Sequence, residues 1–307
     1  MPDPRGAAPD LTVVISTHRR PEQLRAALRS IHDQDHDGCI ETVVVHDKEE
    51  PDTSLATDDL HRPVRVIANH RSAGLPGTRN AGVDVAAAPV VGFCDDDDTW
   101  KPAKARLQLA LLQRTGAPAV GCAIEIVTPE GTVPRASTGS AIRFEDLLRN
   151  RVPEAYMGTV LVRRDAFVGP IGPVDEHIPG GYAEDYEWWL RAARWAPVPM
   201  VREPLFQLRW GHASFFRDKW DAMERALSYL LERYPEFADD PVGYGRIQGQ
   251  RAFALAAQGK RDESRSALVA GLRAHWSEPR LALAAAVLAG VGADRVMAEL
   301  NKRGRGI

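Results

Sequence analysis

The first hundred or so residues alternate between two hydrophobic periods, and that alternation constrains the fold more than anything else in the chain. Residues 11–16 (LTVVIS) form a continuous apolar, β-branched run, the pattern of a strand buried on both faces. Pro21 then opens a stretch in which Leu24, Leu28 and Ile31 share one helical face. Residues 41–45 (ETVVV) and 64–68 read as the second and third strands, 76–87 as a helix, and 89–94 (PVVGFC) as a fourth strand. Residues 101–114 read as a long helix with Leu107, Leu111 and Leu112 on its apolar face. Strands separated by helices, apolar throughout rather than alternating, predict an α/β fold with a mostly parallel sheet covered on both sides. In such sheets ligands bind beyond the carboxyl ends of the strands. The segments to search are therefore Thr17-His18-Arg19-Arg20, His46-Asp47 and Asp95-Asp96-Asp97-Asp98.

A chain of 307 residues with 44% hydrophobic and 26% charged residues suffices for one α/β domain and a smaller appendage. The expected division is a flexible stretch at 1–10, an α/β domain at 11–215 with halves 11–115 and 116–215, and a helical region at 216–307. In that last region, 218–234 reads as one helix, with three more after Pro241. The segment from Arg251 resembles that from Arg280 at an offset of 29 residues, a weak helical-repeat signal for which a plain helical cap is the better reading. The net charge of −3 gives no sign of a protein built around nucleic acid, which needs a concentrated basic surface. Cys39, Cys94 and Cys122 form no CxxC pair and read as reduced thiols, which points to the cytoplasm. The acidic, Pro-rich start has no apolar core of a signal peptide, and 281–291 is too short to span a bilayer. Peripheral contact with the inner face of the membrane stays compatible with this composition, and the oligomeric state is open.

Four consecutive aspartates repel one another, so the run needs a reason. Hard divalent cations take carboxylate oxygens. In a strand-to-loop transition alternate residues point the same way, so Asp95 and Asp97 can converge on one Mg²⁺ or Mn²⁺. A solvated acidic loop is the bland reading; the position after a buried strand at the ligand edge favours the metal.

At these residues the chain resembles the family 2 glycosyltransferases, which have the GT-A fold. The similarity lies in VVISTHRRPEQLRAALRSI, VVVHDKEEPD, AGLPGTRNAGVDVAAAPVVGFCDDDDTW, GGYAEDYEWWLRA and LRWGHAS, in that order across roughly 10–215. The resemblance implies a nucleotide-diphosphate-sugar donor and a saccharide, lipid-linked or small-molecule acceptor. It implies that Thr17 and Asp47 hold the base and ribose and that Arg79 meets the nucleotide or its phosphates. Asp95 and Asp97 form the DxD element for metal and donor, Asp98 supports the sugar, and His212 is a further metal or diphosphate contact. Arg19 and Asp96 join Thr17, Asp47, Arg79 and Asp95 as candidate nucleotide contacts. Asp47-Lys48-Glu49 stands where Asp-Gly-Ser is common in the family, and His18-Arg19 where Tyr-Asn is common, so the base contacts differ and the donor base is left open.

Asp185 is the candidate general base for an inverting, in-line displacement, an outcome that also rests on the resemblance. A carboxylate in the first turn of a helix is held as the anion by the helix dipole. Glu184 is the reserve. Tyr186, Trp189, Leu190 and Ala193 recur at core spacing, whereas Trp188 falls on the face of Asp185 and is expected to stack on a sugar ring. Trp195, Trp210 and Trp220 read as core or groove residues, and His32 with His36 as a chance i, i+4 pair. Two other classes remain. Asp95-Asp96-Asp97-Asp98-Thr99 satisfies the DxDxT pattern of haloacid-dehalogenase phosphatases, with Asp95 as nucleophile; a non-catalytic sugar-nucleotide binding protein is the other. A dinucleotide-dependent dehydrogenase is disfavoured by the absence of glycines after the first strand.

Overall fold

The structure is a computed structural model that describes residues 8–128, 131–135, 139–209 and 219–302. The chain divides into two compact units. The first comprises the described residues of Met1–Phe144, Val152–Glu176 and Glu184–His212, and the second those of Glu145–Arg151, His177–Ala183 and Ala213–Ile307.

The first unit is built on one ten-stranded sheet. Its elements begin β1 (Leu11–Thr17), α1 (Pro21–His32), β2 (Ile40–His46), β3 (Val64–Ala68), α2 (Leu75–Val85), β4 (Val90–Asp95), β5 (Thr99–Trp100) and α3 (Lys104–Thr115). They continue with β6 (Ala119–Thr128), β7 (Gly131–Arg135), β8 (Ala141–Ile142), α4 (Phe144–Arg149), β9 (Leu161–Arg163), α5 (Arg164–Val168), α6 (Glu184–Trp195) and β10 (Val198–Arg209); α4 lies almost wholly in the second unit. The strand order is β3-β2-β1-β4-β9-β6-β10-β5, with β7 on β6 and β8 on β10. The first four strands in this order are parallel neighbours, while β9 runs antiparallel to both β4 and β6. The register pairs Thr17 with His46 and Ser16 with Asp95. The three segments singled out in the sequence therefore leave the sheet side by side.

Local chemistry explains these elements. β1 and β2 are buried at every position, as continuous apolar runs require. Pro21 occupies the start of α1, where its missing N–H costs nothing, and Leu24, Ala27 and Ile31 are its buried face. α3 begins at Lys104 rather than 101 and ends on Gly116 in the left-handed region (φ 65°), whose N–H bonds to the Leu112 carbonyl. Gly82 lets α2 lie directly on the sheet: a Cβ there would stand 2.3 Å from Val14 Cγ1.

The second unit is helical among its described residues. It holds α7 (Trp220–Arg233), α8 (Pro241–Ala257), α9 (Arg261–His275), α10 (Pro279–Leu288) and α11 (Ala293–Lys302). Four helices thus run from Pro241 onward, one more than the sequence pattern suggests, because Gly290-Val291-Gly292 breaks an otherwise continuous apolar stretch. Asp240 caps α8 through the Gly243 N–H at 2.7 Å. Ala252, Phe253, Leu255, Ala267 and Ala284 form the core of this unit. Among the described residues no helix is long and apolar enough to cross a membrane.

Candidate active site at the carboxyl ends of the parallel strands

The acidic run turns away from β4, and each carboxylate meets different partners. Asp95 accepts two hydrogen bonds from Arg79 Nη2, at 3.0 and 3.1 Å, and one from the Tyr156 hydroxyl at 2.6 Å. Asp96 Oδ2 accepts from Thr17 Oγ1 at 2.8 Å and from the His18 N–H at 3.3 Å. Arg20 Nη1 bridges Asp96 Oδ1 at 3.1 Å and Asp97 Oδ2 at 2.6 Å. Asp98 Oδ1 accepts the Arg209 N–H at 3.0 Å, while its buried Oδ2 has no protein partner.

Arg79 is the brace of this corner. It is 1% exposed and donates Nη1 to Glu184 Oε1 at 2.6 Å while Nη2 holds Asp95. Burial works against its charge, but Asp95 and Glu184 outweigh burial and hold it above its ordinary value. Arg79, expected to meet the nucleotide or its phosphates, is buried with its guanidinium between Asp95 and Glu184. What it does is tie the end of β4 to the first residue of α6, where Glu184 and Asp185 sit together, both buried. Burial, then the neighbouring Asp185 charge, pushes Glu184 up to about 7 against the pull of Arg79. The Asp185 carboxylate accepts the Tyr186 N–H at 2.7 Å.

Trp188, expected to stack on a sugar ring, is packed in the core: it is fully buried, stacks on Phe167 at 6.0 Å, meets Trp189 edge-on at 6.4 Å, and donates its indole N–H to the Gly172 carbonyl at 3.1 Å. Trp195, expected in a core or groove, is 60% exposed.

Asp47 at the end of β2 accepts from Asn69 Nδ2 at 2.9 Å and from the Gly74 N–H at 3.0 Å, so it also fixes the turn entering α2. Next to it a cavity of about 180 Å³ is lined by Thr17, Arg19, Arg20, Arg25, His46, Glu49 and Asp52, among others. Arg19 adopts φ 54° and Lys48 φ 53°, while Ala183, just before Glu184, adopts φ 60°. Non-glycine residues in the left-handed region are strained positions that the surrounding structure must hold; Arg19 and Lys48 lie in the loops that follow β1 and β2.

The donor set suits a hard cation. Burial pushes Asp96 up to about 6 despite Thr17 and Arg20. Burial and the Asp95 charge raise Asp97, and burial with Asp95 and Asp97 raises Asp98 well above the carboxylate range. The corner gathers four aspartates around Arg20 and Arg79, and Asp98 Oδ2 has no hydrogen-bond partner. Among the described residues no group of three or more His, Cys, Asp or Glu side chains is arranged as a complete metal site. His212 lies outside the described residues. His32 and His36 pair separately, with Asp33 and Asp10 at 3.1 Å each; α1 ends at His32, so they share no helix.

Some participants escaped the sequence reading. Arg20 sits in the THRRP loop and had a signal in its position. Tyr156 had none: it reaches Asp95 across 61 residues of chain.

The sheet order, with carboxylates and arginines gathered beyond β1, β2 and β4, is a GT-A-type α/β arrangement. The chain belongs to glycosyl transferase family 2, whose model matches residues 12–168. It is 28% identical over 170 residues to the succinoglycan biosynthesis protein ExoO of Rhizobium meliloti, covering 55% of this chain and 48% of that one. It is 24% identical over 127 residues to WfgD of Escherichia coli, a UDP-Glc:alpha-D-GlcNAc-diphosphoundecaprenol beta-1,3-glucosyltransferase, covering 41% and 47%. The matches thus span about half the length of these two curated relatives. The fold is similar to the crystal structure of S. aureus TarS 1–349 in complex with UDP-GlcNAc, with TM-score 0.64 at 17% identity over 96% of this chain and 92% of that one. Against the phosphatase reading, Asp95 ends the fourth strand of the chain and not the first.

Proposed function

We propose that this protein transfers a hexosyl unit from a UDP-sugar to a hydroxyl of a diphosphate-linked, polyprenyl-anchored saccharide, with inversion at the anomeric carbon. The observation that carries the reading is the buried Asp95–Arg79–Glu184 chain, which joins the acidic corner to the residue next to Asp185, the carboxylate proposed as base. The donor and the lipid-linked acceptor are suggested by the substrates named for TarS and WfgD.

In this mechanism the nucleotide enters beside Thr17, Arg19 and Asp47, at the cavity beyond β1 and β2. Asp95 and Asp97 would hold Mn²⁺ or Mg²⁺, with His212 as a further contact; such an ion supplies positive charge to a leaving diphosphate. Arg20, which bridges Asp96 and Asp97, keeps these carboxylates together. Asp98 orients the sugar. Asp185 takes the proton of the acceptor hydroxyl as its oxygen bonds to the anomeric carbon and the bond to the diphosphate breaks on the opposite face. Arg79 fixes Glu184, and so the start of α6, at a set distance from the donor corner.

The test pairs binding with turnover. A nucleotide-sugar that binds only the folded state raises the melting temperature by mass action, and the shift should require Mn²⁺ or Mg²⁺. Asp185→Asn should keep that shift and lose at least ~100-fold in turnover, the lower end of general-base effects. Near-normal turnover removes Asp185 from the role.

A further inference from the structure

We propose that the outer face of α9 docks on an anionic lipid bilayer. Ser264, Ala267 and Gly271 are the buried face of this helix. Opposite them, Val269, Leu272 and Trp276 follow at i, i+3 and i+7, and they are 44%, 44% and 80% exposed. Three large apolar side chains in one row on the solvent side are the reverse of what a surface helix carries. By helical spacing Arg265 and Arg273 flank the row, both exposed, and the one acid on this face, Asp262, is already matched by Arg265 at 3.1 Å.

The charge on the face selects its occupant. From Lys260 onward the chain holds nine Lys and Arg against five Asp and Glu, in a protein whose net charge is −3. The segment bearing the row is therefore basic and the remainder acidic. A two-fold contact with a second copy would set these arginines against each other. Three side chains also bury too little surface for a stable protein interface, which needs about 1,000 Å². They suffice for peripheral lipid contact: the indole settles at the headgroup level, the aliphatic chains enter the acyl boundary, and the arginines meet anionic headgroups. This surface bears on the proposed reaction because a polyprenyl-anchored acceptor stays in the bilayer, and to that extent it rests on that reading.

The experiment is co-sedimentation of the full chain with vesicles of phosphatidylcholine alone and with an equal share of phosphatidylglycerol. Binding is expected to the anionic vesicles only and to weaken with added salt. The Leu272→Ser, Trp276→Ser double variant should lose at least ~10-fold in partitioning, and Arg273→Gln should weaken both binding and its salt dependence. Both variants should melt like the parent and keep transfer to a short-chain, water-soluble acceptor. Unchanged partitioning of the double variant overturns the proposal. So does a parent that sediments as a dimer which the variant abolishes, or one that ignores both vesicles. Loss of transfer with vesicle binding intact would count against the catalytic reading alone.

Discussion

Replacing Arg79 with methionine is the sharpest test of how the corner is held. The side chain is buried and serves Asp95 and Glu184 at once. Methionine fills a similar volume and carries no charge, so the variant leaves two buried carboxylates facing each other. Removing one partner of a buried ion pair costs about 3–5 kcal/mol, and for a unit of this size each kcal/mol lowers Tm by about 2–4 °C. The expected fall is about 6–20 °C. It should depend on pH with a definite sign. Glu184 stands at about 7 in the folded chain against an ordinary 4.5, so the native state holds its proton more tightly than the unfolded chain. The stability from this group is full below 4.5 and is lost as pH rises through 7, a swing of about 3 kcal/mol. Without Arg79 the Glu184 carboxyl rises further, so the penalty should be larger at about pH 8 than at about pH 5. Glu184→Gln in the same background should restore part of the loss, giving a coupling of at least about 1 kcal/mol. Calorimetric melts of the four proteins at both pH values decide the matter. A fall under about 2 °C, or an equal penalty at the two pH values, refutes the idea that one buried cation organises the site.

Two further predictions concern packing. Trp188→Ala should cost about 3–5 kcal/mol in stability yet leave KM for the donor unchanged well below the melting temperature; a rise in KM with unchanged Tm would restore the sugar-stacking role. Gly82→Ala should cost about 1–3 kcal/mol, seen as a lower Tm, because the added methyl meets Val14; a neutral effect would mean that α2 can lift from the sheet.

The parallel half of the fold was legible because its signals are local. The runs at Leu11, Glu41, Val64 and Val90 are too apolar for solvent and too short for helices, and the loops after them carry the charge. Asp95 to Asp98 could be placed at the ligand edge on that ground alone. The burial of Arg79 was hidden because sequence spacing shows that a residue lies on a helix but not what closes over it. Its burial depends on Glu184, 105 residues away. The burial of Trp188 was hidden for a related reason: helical spacing separates faces, and α6 is covered on nearly all of its faces. Tyr156 and the cavity wall at Glu49 and Asp52 come from chain segments with no periodic pattern, so nothing local announces them.

The ties that hold the acidic corner span long stretches of chain: Thr17 to Asp96, Tyr156 to Asp95, Glu184 to Arg79 and Arg209 to Asp98. Such contacts form only after the intervening loops have closed. A nascent or partly folded chain therefore possesses strands and helices before it possesses this corner. Under the proposed function, nucleotide capture reports a finished molecule, and a lesion that delays sheet closure abolishes it well before secondary structure is lost.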